Sequence, residues 1–134
     1  MKLPRLFSNP RVWLAAVIAW FVTLWLLSAG HPTVQLGPEI PHLDKFCHFG
    51  YFLGGSGLLS AYLFSRSSAT PDWRIIGLGV VVALALVGCL DEYHQTFTPE
   101  RSGNDLGDWL ADVSGSLAGF LIFKWCHRVL PVRQ

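Results

Sequence analysis

The chain has 134 residues, 51% hydrophobic and only 14% charged, with six Trp, nine Phe and a formal net charge of +1; its mean hydropathy is +0.40. A water-soluble domain carries roughly 25% charged residues, disorder needs low hydrophobicity with high net charge, and a nucleic-acid surface needs a basic excess. All three classes are excluded, nucleic acid among them as a partner, and what remains is an integral membrane protein of one domain, residues 1–134.

Charges act as fences around four apolar stretches, predicted as helical spans at about residues 12–30, 46–65, 75–92 and 108–126. The first has no ionisable side chain over residues 12–29, close to the roughly 20 residues that cross a hydrocarbon core. A basic lead (Lys2, Arg5, Arg11) and the small residues Ser28, Ala29 and Gly30 also suit a signal peptide. The apolar run is longer than a signal core, and Trp20 and Trp25 suit a retained helix, which is the reading taken here. The second span is interrupted only by His48, the third ends on Asp91 and Glu92, and the fourth contains Asp112. Backbone groups in lipid bond internally, so the fold class is all-α, a polytopic bundle of four transmembrane helices.

The connection after the first span carries Pro32, Gly37, Pro38 and Pro41 and reads as an extended outer loop. The 66–73 loop is a short inner turn; the 96–107 loop, with Pro99, Gly103 and Gly107, is again outer. Gly50/Gly54 and Gly115/Gly119 are two small-xxx-small pairs that let helices approach closely. Three cysteines do not make a disulfide framework; Cys47 and Cys89 lie at similar depth and could pair, but the favoured reading is small buried hydrophobes.

Eight of the ten basic residues fall on the side of the two termini and the 66–73 loop, leaving Lys45 and Arg101 opposite. The positive-inside rule therefore puts both termini in the cytoplasm. The acids divide the other way: Asp72 alone lies inside and the other eight gather at the outer face.

Intramembrane ionisable groups are costly and count as a candidate site. Three clusters qualify: Asp44-Lys45-x-x-His48, Asp91-Glu92-x-x-Gln95, and Arg101 with Asp108-x-x-x-Asp112-x-x-Gly115. Taken singly, Asp44 and Asp108 read equally well as helix caps, and His48 as a satisfied core histidine. Three helix ends bringing polar residues to one side at one depth favour a shared outer pocket of Asp44, Lys45, His48, Asp91, Glu92, Gln95, Arg101, Asp108 and Asp112, with Arg101 set among Asp91, Asp108 and Asp112. Asp91, Glu92 and His48 are the candidate acid–base groups. No compact ligand spacing supports a metal, His48 and His94 notwithstanding, and no cofactor is expected. Gly54-Gly55-Ser56-Gly57 matches the G-x-S-G string of rhomboid proteases, but four helices are too few for that fold.

These clusters in this order, Asp44-Lys45-x-x-His48-Phe49, Asp91-Glu92-x-x-Gln95-x-Phe97, Arg101-Ser102-Gly103 and Asp108-x-x-x-Asp112-x-x-Gly115-x-x-x-Gly119, resemble the VanZ-like family over about residues 40–123. That family comprises small bacterial membrane proteins associated with the cell envelope and, through its namesake, with teicoplanin resistance. Members often carry an aromatic four residues after the His; here that is Phe52, with Tyr51 one place early, which argues against a catalytic Tyr51. The position of Asp112 is commonly Asn in the family, so its charge is not essential to every member. The sequence ranks binding of an anionic lipid or lipid-linked envelope precursor by Lys45 and Arg101 first. A membrane hydrolase or transferase on such a lipid comes second and a structural helper third; a homo-oligomer or an envelope-protein partner stays open.

The orientation is testable. Reporter fusions after Gln134 and within the 96–107 loop should report cytoplasm and exterior respectively. A cytoplasmic signal from the loop contradicts the orientation and the outer pocket with it.

Overall fold

A computed structural model describes residues 4–30, 41–67, 70–99, 101 and 103–130. The proline-rich loop at 31–40 and the charged residues Lys2, Glu39, Glu100 and Arg133 lie outside the described residues, as does Ser102. The described chain is an up–down bundle of four helices, α1 (Pro10–Ser28), α2 (Leu43–Arg66), α3 (Trp73–Gln95) and α4 (Leu106–Cys126), with no strand among the described residues. At 1.5 Å per residue each is about 28 to 36 Å long, matching the roughly 30 Å hydrocarbon thickness.

Three of the helices, α1, α3 and α4, are long and apolar enough to cross a membrane. The second has the length, but Asp44, Lys45, His48 and its run of Gly and Ser dilute its hydropathy. Gly55, Ser56, Ser60 and Ala61 of that helix are buried inside the bundle. Large apolar side chains cover the outside instead, with Leu26, Leu78, Leu86 and Trp125 all more than 60% exposed. That inverted distribution suits lipid as the surrounding solvent.

Every helix begins on a defined cap. Asn9 accepts from the Arg11 N–H at the start of α1, with Pro10 at the first helical position. Asp72 accepts from the Arg74 and Ile75 N–H groups at the start of α3. At α4 the cap is Asp105, which accepts from Gly107 N–H. At α2 it is His42, in the left-handed region at φ 61°, without a side-chain bond. Asp44 and Asp108 therefore sit in first turns and are not caps. Each helix starts two or three residues before its sequence-predicted span, α3 ends three residues later, and α1 ends two residues sooner, at Ser28.

The apolar core is Leu24, Phe52, Ile76, Val80, Leu84 and Phe120, in the middle of the bundle. Trp20 ties α1 to α2: its indole donates to the Tyr51 carbonyl at 3.1 Å while the Tyr51 hydroxyl donates to the Trp20 carbonyl at 2.9 Å. Tyr51 is thus a packing residue, as its place in the motif suggests. Gly55 lies under the Trp20 ring and Ser56 donates to the Ser116 carbonyl at 2.5 Å, so the G-x-S-G string is helix packing. Toward the basic end, Phe64, Trp73, Phe123 and His127 form an aromatic cluster between α2, α3 and α4.

The two glycine pairs differ. A Cβ at Gly115 or Gly119 would strike the α2 backbone at Phe49 or Leu53, whereas Gly50 and Gly54 have nothing within 4 Å. Only the α4 pair makes a close helix seam. Cys47 and Cys89 are free and exposed on the bundle surface, which corrects the reading of buried hydrophobes; their pairing is not seen.

The seam makes a stability prediction. Gly115→Leu or Gly119→Leu should cost about 1–3 kcal/mol by overpacking, read as a lower melting temperature by circular dichroism in detergent. Gly54→Leu should leave it unchanged. Equal sensitivity of the two pairs contradicts the seam.

Candidate functional site

The acidic end of the bundle collects the N-termini of α2 and α4 and the C-termini of α1 and α3. The loop after α3 folds back over its own helix: Asn104, at φ 62°, donates its N–H to the Glu92 carbonyl at 3.3 Å. The next amide, Asp105 N–H, donates to Glu92 Oε2 at 2.7 Å. Gly103 is required in this return, since a Cβ there would meet the Glu92 carbonyl at 2.7 Å.

Asp91 and Glu92 are adjacent on α3 yet both are buried, at 2% and 4% exposure. Gln95, one turn on, donates Nε2–H to Asp91 Oδ2 at 2.9 Å, the shared face that i,i+4 spacing predicts. On α4, Asp108, Asp112 and Gly115 form one buried stripe, and Asp112, a turn deeper than Asp108, is fully buried. From α2, His48 Nδ1 lies 3.0 Å from Asp112 Oδ1. With Asp112 ionised and the imidazole neutral, Nδ1 is the donor of this bond and Nε2 keeps its lone pair. Gly88 makes room for this arrangement, because a Cβ there would meet Asp112 Oδ2 at 2.7 Å.

Lys45 is the hub of the rim. Its ammonium donates to Asp105 and Asp108 at 3.0 Å each and to Asp44 at 3.2 Å. Lys45, with the Gly107 N–H, holds the Asp105 carboxyl below the usual carboxylate range. Asp44 itself stays at the rim, its side chain 57% exposed.

Arg101 is not where the sequence reading put it. Its Nε and Nη2 donate to the Gly30 and Leu27 carbonyls, both at 3.2 Å, at the C-terminus of α1. There it satisfies orphan carbonyls and the negative end of the helix dipole, a demand that linear spacing does not display. Thr98 completes the join by donating to the Ser28 carbonyl at 3.3 Å. His94 is also drawn to α1, stacked on Trp25 with ring centroids 3.9 Å apart.

The structure therefore brings together Lys45, His48, Asp91, Glu92, Gln95, Asp108 and Asp112, leaves Asp44 at the edge, and assigns Arg101 to a helix end. Sequence reasoning missed Asp105 as a site residue, although an Asp two places before Gly107 and an apolar run is an N-cap signal. It also missed Ser116, which donates to the Asp112 carbonyl at 2.7 Å.

One oxygen on each of three buried carboxyls has no hydrogen-bond partner: Asp91 Oδ1, Glu92 Oε1 and Asp112 Oδ2. Such orphans are costly away from water. With six carboxyl groups grouped around one ammonium and one imidazole, the site is short of positive charge and of donors. It is arranged to hold protons or a cation.

The VanZ/LLP1 family model matches residues 9–127 of this chain. Among curated proteins, the lipoprotein signal peptidase of Nostoc sp. (strain PCC 7120 / SAG 25.82 / UTEX 2576) is 30% identical over 125 residues, 88% of this chain and 75% of its own. No solved structure matches significantly.

Proposed function

This chain belongs to the VanZ/LLP1 family, and from that premise we propose that it is a membrane-embedded hydrolase acting at the outer face on a lipid-anchored or lipid-linked envelope molecule. The observation that carries the reading is the set of three buried carboxyls, Asp91, Glu92 and Asp112, each with one unpartnered oxygen beside His48. Hydrolysis needs a group that takes a proton from an attacking water and returns one to the leaving group. Asp91 suits that role: Gln95 fixes one oxygen and the other is free. Asp112 positions His48, whose side chain is 13% exposed and stands at the mouth.

Both outer cations are already engaged, Lys45 by three carboxylates and Arg101 by helix carbonyls. That weighs against a resident anionic ligand and in favour of acid–base chemistry. The named activity of the Nostoc relative, a lipoprotein signal peptidase, supports a hydrolytic role on a membrane-anchored substrate. The proposal includes the inner membrane as location, cytoplasmic termini and a cell-envelope role of the kind the family's teicoplanin-resistance namesake suggests.

The test compares bacterial membranes carrying wild type, Asp91→Asn or Asp72→Asn at matched protein levels. Mass spectrometry should find a lipid-anchored envelope species converted to a soluble fragment by wild type and by Asp72→Asn. Asp91→Asn should slow that conversion by about 100-fold or more. Identical profiles with wild type and Asp91→Asn contradict the proposal.

A further inference from the structure

We propose that His48, Glu92 and Asp108 bind one divalent transition-metal ion of the zinc type at the outer end of the bundle. These residues come from α2, α3 and α4, and one donor atom of each lies within 4.8 Å of the others. Two ligands on an ion with bonds of about 2.1 Å stand about 3.4 to 4.2 Å apart, so small side-chain adjustments close the set.

Two features point to an ion beyond mere proximity. The first is His48. Asp112 Oδ1 lies 3.0 Å from its Nδ1, and with Asp112 ionised and the imidazole neutral that nitrogen donates and Nε2 is left as a lone pair in a fixed ring. A carboxylate on the far nitrogen is the arrangement that orients metal-binding histidines and makes them more basic. The second is Glu92, which is 4% exposed: Oε2 accepts the Asp105 amide, and Oε1 has no partner. A buried carboxylate oxygen without a donor is what a cation would satisfy.

A neighbouring cluster supplies the contrast. Asp44, Asp105 and Asp108 have their donor atoms grouped in the same way, and the Lys45 ammonium sits among them at 3.0 to 3.2 Å. That triplet holds its own cation, whereas in the His48 triplet Lys45 reaches Asp108 alone, and His48 and Glu92 have no Lys or Arg contact among the described residues. Asp108 gives one oxygen to Lys45 and links the two.

One imidazole nitrogen and two carboxylate oxygens suit Zn²⁺ or a similar transition ion better than Mg²⁺, which prefers oxygen and its own waters. Three protein ligands leave a fourth position for water or a substrate oxygen, the pattern of a working rather than a structural zinc site. The metal site stands or falls by binding alone, independently of whether the centre hydrolyses anything.

The experiment uses the full chain, tag removed, purified in detergent and stripped with chelator. Zn²⁺ and Mg²⁺ are each titrated by calorimetry, and zinc content after dialysis is measured by elemental mass spectrometry. Wild type should take up one Zn²⁺ per chain with a raised melting temperature, and show no saturable response to Mg²⁺. Glu92→Gln and His48→Asn should weaken Zn²⁺ binding by about 100-fold or more. Asp112→Asn, which only loses the positioning of the imidazole, should weaken it by about 10- to 100-fold. Asp44→Asn should bind as wild type. Circular dichroism checks that each variant is helical, and Asp112→Asn decides the matter if the two ligand variants do not fold. Absence of saturable Zn²⁺ binding by wild type overturns the proposal and leaves protons as the cluster's only cations. Binding that survives Glu92→Gln and His48→Asn, or Asp112→Asn where those two do not fold, overturns it equally.

Discussion

The hydrogen bond between His48 on α2 and Asp112 on α4 is the contact on which the acidic end of this molecule depends. Asp112 is fully buried, inside a helix that lipid surrounds. A carboxylate taken out of water loses roughly several kcal/mol of solvation, and only a well-placed partner returns it. The imidazole is that partner, and it is close enough because Gly115 and Gly119 let the α4 backbone rest on the α2 backbone one and two turns below. Small residues set the helix separation, the separation sets the His–Asp distance, and the pair holds the imidazole beside Glu92 and Asp108, with one donor atom of each of the three residues within 4.8 Å of the others.

The same economy explains the division of charge along the bundle. At the basic end Arg66, Arg74, Lys124 and Arg128 are exposed around an aromatic cluster, and Asp72 serves as a helix cap. At the other end the carboxyls run into the helices and are gathered in layers. Lys45 neutralises the rim of Asp44, Asp105 and Asp108. Below it, Asp91, Glu92 and Asp112 keep one free oxygen each. A bundle built only for stability would have closed those positions with apolar side chains, since buried ion pairs are often no better than well-packed hydrophobes. Retained orphans at one depth are the mark of a site.

Much of this architecture is legible in the sequence. Charge fences place all four helices, and i,i+4 spacing puts Asp91 with Gln95, and Asp108 with Asp112, on shared helix faces. Motif order alone identifies the family, and the match over residues 9–127 agrees. Other features are settled in three dimensions. Arg101 looks like the natural partner of nearby acids, but helix α1 ends beside it with unsatisfied carbonyls, and those are met first. Asp44 and Asp108 resemble caps until Asp105 and His42 are seen in those places. Nothing in the spacing of Gly50/Gly54 separates it from Gly115/Gly119; only the direction each helix faces does. The metal triplet draws one residue from each of three helices, so no linear spacing could reveal it.

A double-mutant cycle on His48→Ala and Asp112→Ala measures the central contact directly. Stability is read from detergent-titrated unfolding in mixed micelles for wild type, both single variants and the double variant. If the two side chains form one buried pair, the double variant loses less than the sum of the singles, by at least about 1 kcal/mol. Strict additivity would mean that the two residues act separately, and that the acidic end of the bundle is not one site.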